Sequence, residues 1–210
     1  MAIIKSGAST DQLTIDPASK AARVTLYDPS SGRSLAVQSK ATYFAAGTFT
    51  PPATPTDMVT IFGSATRTVR VVAFVITTTN TAAGSQQFFL IKRTTANTGG
   101  TFVAAAAVSA DVVDSAATAT VGHYTANPSG LGASAGNINV TRAASPVAVP
   151  ATFAGVARDA GVDMLEVGAS ASLNRIPVLN GTGQGVCLNF GGAALVAGQT
   201  HAYQVVWTEE

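Results

Sequence analysis

The chain has 210 residues with twelve basic and eleven acidic side chains, a formal net charge of +1, and 47% apolar, 11% charged and 7% aromatic content. A soluble domain ordinarily carries about 25% charged residues, so solubility here rests on Thr, Ser, Asn, Gln and Gly, or part of the surface is covered in an assembly. Scattered cations, with no run longer than Lys92–Arg93, disfavour a nucleic-acid partner, and a lone Cys187 excludes an intrachain disulfide and a Cys-rich zinc site.

A chain of this length buries a substantial core, as one large domain or as a compact domain with a smaller N-terminal attachment. The opening MAIIKSGAST lacks the uninterrupted apolar region of a signal peptide, and no later stretch has the length and hydrophobicity of a membrane span. Neither secretion nor a membrane partner is expected.

Residues 1–50 form a distinct zone, punctuated by Asp16–Pro17 and Asp28–Pro29. Proline fixes φ and restricts the residue before it, so these pairs mark turns. Between them Arg23–Tyr27 is predicted to pair with Arg33–Gln38 as a hairpin across DPSSG. The short apolar piece ATYFAAGTF then leads into PPATPTD, whose prolines suit a stiff connector and not a sheet interior. The predicted organisation is an N-terminal arm or small β attachment module over 1–50, a connector over 51–57, and a main domain over 58–210.

Within the main domain, Met58–Phe62 is a short strand. In Arg67–Thr78, Val69, Val71, Ala73 and Val75 are assigned to one face and Val72, Phe74 and Ile76 to the other, which predicts a strand covered on both sides. Gln86–Arg93 behaves similarly, and the turn NTAAGS predicts that these two strands pair antiparallel. Residues 101–119 fit either a helical turn or a long loop, because alanines compete with β-branched residues. ATATVGHY resumes as strand, and NPSGLGASAG is a long turn-rich segment. In NINVTR, Ile138 and Val140 share one face while Asn137, Asn139 and Thr141 share the other, the alternation of a sheet with one wet side. Further strands are predicted near Thr152–Val156, Asp163–Val167, Ile176–Leu179, Val186–Phe190 and Ala202–Thr208. The last of these places Tyr203, Val205 and Trp207 together toward the core. No segment has ordinary amphipathic helical length. Many short strands joined by Gly, Pro and Asn turns predict an all-β fold, an antiparallel β-sandwich for which jelly-roll order is one solution.

Catalytic signatures are missing: there is no GxSxG elbow, Walker A loop, HExxH helix or Rossmann GxGxxG. Gly181-Thr-Gly-Gln-Gly185 sits between strands and reads as a turn, without the strand-to-helix context of a phosphate loop. Cys187 lies opposite Val186, Leu188 and Phe190 and beside Asn189, as a partly buried strand thiol. His123 and His201 suit a metal site or a proton relay only if the fold unites them, which nothing in the spacing requires. Asp111 and Asp114 supply two oxygen ligands where calcium needs several more. Asp159, Asp163 and Glu166 keep a loop soluble in preference to sharing acid and base duties. No catalytic, cofactor-binding or metal-binding residue is assigned.

The stretch FFLIKRTTANTGGTF holds the adjacent cations Lys92 and Arg93. Successive strand residues face opposite ways, so the pair cannot form one local clamp. Its expected role is a solvated strand end, and the alternative is a salt bridge to another subunit or to a capsid protein. Tyr124 is read first as a strand-end packing residue, and otherwise as an aromatic platform for a sugar. Lys92, Arg93 and Tyr124 are therefore the candidate protein-interface residues.

The run ATRTVRVVAFVITTTNTAAGSQQFFLIKRTTANTGGTF, continued by ATATVGHYTANPSGLGASAGNINVTR and the terminal AYQVVWTEE, resembles small structural proteins of tailed bacteriophages. What the resemblance implies is a noncatalytic virion component: a protein that decorates or cements the capsid, located on the outer capsid surface after passing through the host cytoplasm. Its implied partners are the major capsid protein or another virion protein and further copies of itself, with a trimer suiting quasi-threefold sites. A tail or fibre-associated protein that binds a host glycan is the alternative, and a carbohydrate-active enzyme stands behind both.

Overall fold

The computed structural model describes residues 40–79, 81–82, 84–145, 162–166 and 176–210, together with 14–15 and 22–23. Two compact units emerge, Met1–Ser39 and Lys40–Glu210. In the first, β1 (Thr14–Ile15) pairs antiparallel with β2 (Ala22–Arg23). The hairpin expected over 23–27 and 33–38, like the strand near 152–156, lies outside the described residues.

The second unit contains only strands among its described regular elements. They are β3 (Ala41–Phe49), β4 (Asp57–Phe62), β5 (Val69–Thr79), β6 (Gly84–Arg93), β7 (Thr101–Ala104), β8 (Val108–Ser109), β9 (Thr120–Ala126), β10 (Ser134–Ser145), β11 (Val162–Glu166), β12 (Val178–Leu179), β13 (Gly185–Asn189) and β14 (Thr200–Glu209). One sheet has the order β10-β6-β13-β4-β9-β7; the other runs β11-β5-β14-β3-β8, with β12 also on β5. All pairings are antiparallel. The antiparallel sandwich expected from many short strands and turns is what forms.

Its connectivity nests. β3 pairs with β14, β4 with β13, β5 with β11 and β12, and β6 with β10, first strand with last and working inward. This is the rolled-up order of a jelly roll. Residues 94–133 are an insertion in that pattern, and they lengthen both sheets, β8 beside β3 and β9–β7 beside β4.

The core lies between the sheets. Tyr203, Val205 and Trp207 of β14 are buried, as their spacing predicts, against Tyr43, Val71, Phe74, Leu90 and Leu188. Trp207 stacks on Tyr43 with ring centroids 5.7 Å apart. The β4 and β13 strands are buried along their whole length, so their sheet is covered on its second face as well.

Four expectations change. Ala41–Phe49, placed by sequence in the attachment module, is a full strand of the large unit, paired with β14 from Ala41↔Glu209 to Phe49↔His201. Its apolar alternation finds a partner some 160 residues away, which the nearby prolines cannot reveal. Second, β5 and β6 do not pair; the chain crosses between sheets after Thr79, and β5 joins β14 while β6 joins β13. A turn-rich link fits a sandwich corner as well as a hairpin. Third, β5 carries a bulge: Val206 pairs with Ala73 but Trp207 with Val71, leaving Val72 as the extra residue. The buried set is thus Val69 and Val71, then Phe74 and Ile76. Fourth, β10 turns its apolar residues outward. Ile138 and Val140 are exposed while Thr141 is half-buried beside Phe88, because bulges between Ser134 and Gly136 and between Asn137 and Asn139 reset the alternation.

Candidate functional site

Lys92 and Arg93 do point to opposite sides of their strand, but neither ends it in solvent. Lys92 Nζ donates to the Val178 carbonyl at 2.9 Å. Arg93 is 6% exposed and makes a bidentate pair with Asp57, Nε to Oδ2 at 3.0 Å and Nη2 to Oδ1 at 2.8 Å. The solvated-end expectation fails here because residues distant in sequence cover the outer face of β4, β6 and β13. Asn97 donates to Asp57 Oδ2 at 3.0 Å, Asn189 donates to Oδ1 at 2.7 Å, and Arg93 Nη1 donates to the Gly132 carbonyl at 2.9 Å.

The loops 94–100 and 127–133 form this cover and bridge each other at Thr98 and Gly130. Their geometry needs glycine at two points. Gly100 has φ +75° and approaches the Ala126 and Asn127 carbonyls, where a Cβ would sit 2.7 Å from both oxygens. At Gly132 a Cβ would fall 1.8 Å from the Thr95 carbonyl. Burial acts to lower the Arg93 pKa, but the hydrogen bond and charge of Asp57 outweigh it and hold the guanidinium above its usual value. Cys187 lies beneath the same cover. Burial pushes its thiol well above the ordinary range, and Asp57 adds to the effect against Arg93. Such a thiol is inert at neutral pH.

Tyr124 is 5% exposed and tilts against Phe102 at 5.1 Å. Burial raises the pKa of its hydroxyl. It packs at the sheet and presents no platform, so Arg93 and Tyr124 are interior residues, and neither forms part of a displayed surface.

The two histidines share a neighbour that their spacing conceals. Phe49 stacks on His123 and on His201, each at 5.4 Å between centroids. The rings are nevertheless engaged separately, His123 Nδ1 with Tyr203 Oη at 3.2 Å and His201 Nδ1 with Thr78 Oγ1 at 2.8 Å. Phe190 and Phe88 enclose His201 at 4.9 and 6.0 Å. Burial lowers the pKa of both, that of His201 to about 4, so both are neutral at physiological pH.

Among the described residues Glu209 is the other buried charge, and sequence reasoning missed it. It accepts from Thr118 N and Oγ1, Ala119 N, Trp207 Nε1 and Arg67 Nη1. Burial acts to raise its pKa, but the hydrogen bonds from Thr118, Ala119 and Trp207 win, and the carboxyl is held below its ordinary value. A carboxylate anchored this way holds the start of β9 against the end of β14.

Asp111 and Asp114 are spent on a local turn. Asp111 Oδ1 accepts the Val113 N–H at 3.1 Å, and Asp114 Oδ2 accepts Ser109 Oγ at 3.3 Å. Among the described residues no three His, Cys, Asp or Glu side chains come together as metal ligands. Residues 180–184 form the turn between β12 and β13, with Gly181 at φ +80°, and Gly185 opens β13. Asp159 and the side chains of Asp163 and Glu166 lie outside the described residues.

Among the described residues the surface carries Lys40, Asp111, Arg142 and Glu210, and beside them several large apolar side chains. Val112 and Val113 are 96% and 82% exposed at the tip of the aspartate turn, and Val108, Phe44, Val103, Leu131, Ile138 and Val140 are also exposed. On the outer face of the β8-β3-β14-β5 sheet, Val108, Phe44, Val206 and Ala73 form one cross-strand row. No protein-family model, curated protein or solved structure matches the chain.

Proposed function

We propose that the protein is a noncatalytic structural component of a tailed-phage virion that decorates or cements the capsid through protein–protein contacts. The observation that carries this reading is a division of labour between interior and surface. Arg93, Asp57, Cys187, His201 and Glu209 are buried in hydrogen-bond or packing roles, while exposed positions include valines at the tip of a hydrogen-bonded turn. Exposed apolar side chains held in place are suited to burial against a partner. The phage setting rests on the resemblance of residues 58–210 to such virion proteins, and the partners proposed are the major capsid protein and further copies of this chain.

Quantitative mass spectrometry of purified particles tests the assignment. The expected result is a copy number comparable to that of the capsomers, together with loss of particle binding when residues 1–39 are deleted, since that separate unit is the proposed attachment region. A few copies per particle place the protein at the tail instead, and absence from particles ends the virion reading.

A further inference from the structure

We propose that Asn180 is a self-modification site, where the Gly181 amide closes a ring on the side chain and the asparagine ends as aspartate or isoaspartate. Of the eight asparagines in the chain, Asn180 alone precedes glycine. The following residue matters because its main-chain nitrogen is the nucleophile, and any side chain it carries crowds the approach to Cγ. Glycine carries none, and it reaches backbone angles closed to other residues.

The fold leaves both reacting groups uncommitted. Asn180 is exposed and opens the turn that joins β12 to β13. Its main-chain N–H donates to Gln184 Oε1 at 3.2 Å, but among the described residues no hydrogen bond holds its side-chain amide. Nor does the Gly181 N–H donate to any described acceptor. Gly181 has φ +80°, and a Cβ built there would meet nothing within 4 Å, so the space beside the nucleophile is open. The other described asparagines fail one condition or another. Asn97 and Asn189 are bonded at both ends of the side chain, donating to Asp57 and accepting from Gly132 N and Gly191 N. Asn127 precedes Pro128, which has no N–H. Asn137 and Asn139, in β10, precede the β-branched Ile138 and Val140.

The chemistry needs only water. The Gly181 nitrogen gives up its proton and bonds to Asn180 Cγ, the Cγ–Nδ2 bond breaks, and Nδ2 leaves as ammonia with that proton on balance. The product is a five-membered succinimide, and no electrons are gained or lost. Water then opens the ring at one of its two carbonyls. Attack at Cγ gives aspartate; attack at the former main-chain carbonyl gives isoaspartate, whose main chain runs through Cβ and Cγ. Either way a carboxylate replaces an amide, and the formal net charge falls from +1 to zero. Isoaspartate also lengthens the main chain inside a turn tied to the end of β4, where Gly63 N donates to the Gln184 carbonyl at 2.9 Å.

Peptide mapping by mass spectrometry supplies the test, on the native full-length chain held in mildly alkaline buffer, which helps the attacking nitrogen lose its proton. The variant Asn180→Gln is treated alongside; its longer side chain would have to close a six-membered ring, which forms far more slowly. The expected result is an amide-to-acid mass shift in the wild-type peptide that carries residue 180. That peptide is expected to split into two products, one of them a substrate for an isoaspartyl methyltransferase. Isoelectric focusing is expected to show a more acidic band that grows with time in the wild type and is lost in Asn180→Gln. A native chain that stays unmodified at residue 180, or an earlier shift at another asparagine, would overturn the proposal. Aspartate without isoaspartate would do so as well, since direct hydrolysis of the side chain gives aspartate only. The result is independent of whether the protein belongs to a virion.

Discussion

Replacing Asp57 by alanine destabilises the sandwich by about 3–5 kcal/mol, the usual consequence of removing one partner from a buried ion pair. Asp57 is 0% exposed and accepts four hydrogen bonds, two from Arg93 and one each from Asn97 and Asn189. Its loss leaves a guanidinium 6% exposed with only the Gly132 carbonyl as acceptor. Two amide groups that had ordered the cover lose their anchor in the same step. The check is urea denaturation of Asp57→Ala, Arg93→Met and the double variant. Because the two residues touch, the double variant costs less than the sum of the singles, as expected for a direct coupling. A cost below about 1 kcal/mol for Asp57→Ala, the range of exposed pairs, would mean that water reaches this pair.

The second large effect is loss of stability in mild acid. His201 has an ordinary value of 6.5 in the unfolded chain and about 4 in the fold, lowered by burial. Below pH 6.5 the unfolded chain takes up a proton that the native ring refuses, so stability falls as pH drops from 6.5 toward 4 and levels out beneath that. The gap is worth about 3 kcal/mol. Glu209 adds to the loss at lower pH. Its carboxyl is held below the ordinary 4.5, so its contribution is complete above 4.5 and vanishes as pH falls through the lowered native value. Denaturation midpoints between pH 7.5 and pH 4 provide the measurement. His201→Phe flattens most of the decline above pH 4.5, leaving a smaller slope from His123, whose pKa burial also lowers. An unchanged slope in His201→Phe would assign the effect elsewhere.

Legibility from the sequence followed the range of the interactions. Alternation in Ala202–Thr208 and in GVCLNFG placed Tyr203, Val205 and Trp207 in the core and Cys187 opposite Val186 and Leu188, because period two is a local property of the backbone. The exceptions arose where the backbone itself departs from period two, at Val72 and around Ile138. Strand order was out of reach, since β3 meets β14 and β4 meets β13 across nearly the whole chain, and nothing local records such pairings. The same limit hid the role of Arg93. Its partner Asp57 lies 36 residues back, and Gly132 of its cover lies 39 residues on. Glu209 drew no notice in the sequence because Thr118 and Ala119, which hold its carboxylate, lie some ninety residues away. The exposure of Val112 and Val113 was equally hidden, since residues 101–119 fit a helical turn or a loop and the sequence does not show that Asp111 and Asp114 close a turn there.

A cryo-electron microscopy map of the intact phage particle tests the central claim most directly. The account predicts repeated copies of this jelly roll on the outer head surface, contacting capsid subunits and one another through uncharged exposed side chains such as Val112 and Val113. A head bearing no such density would contradict it.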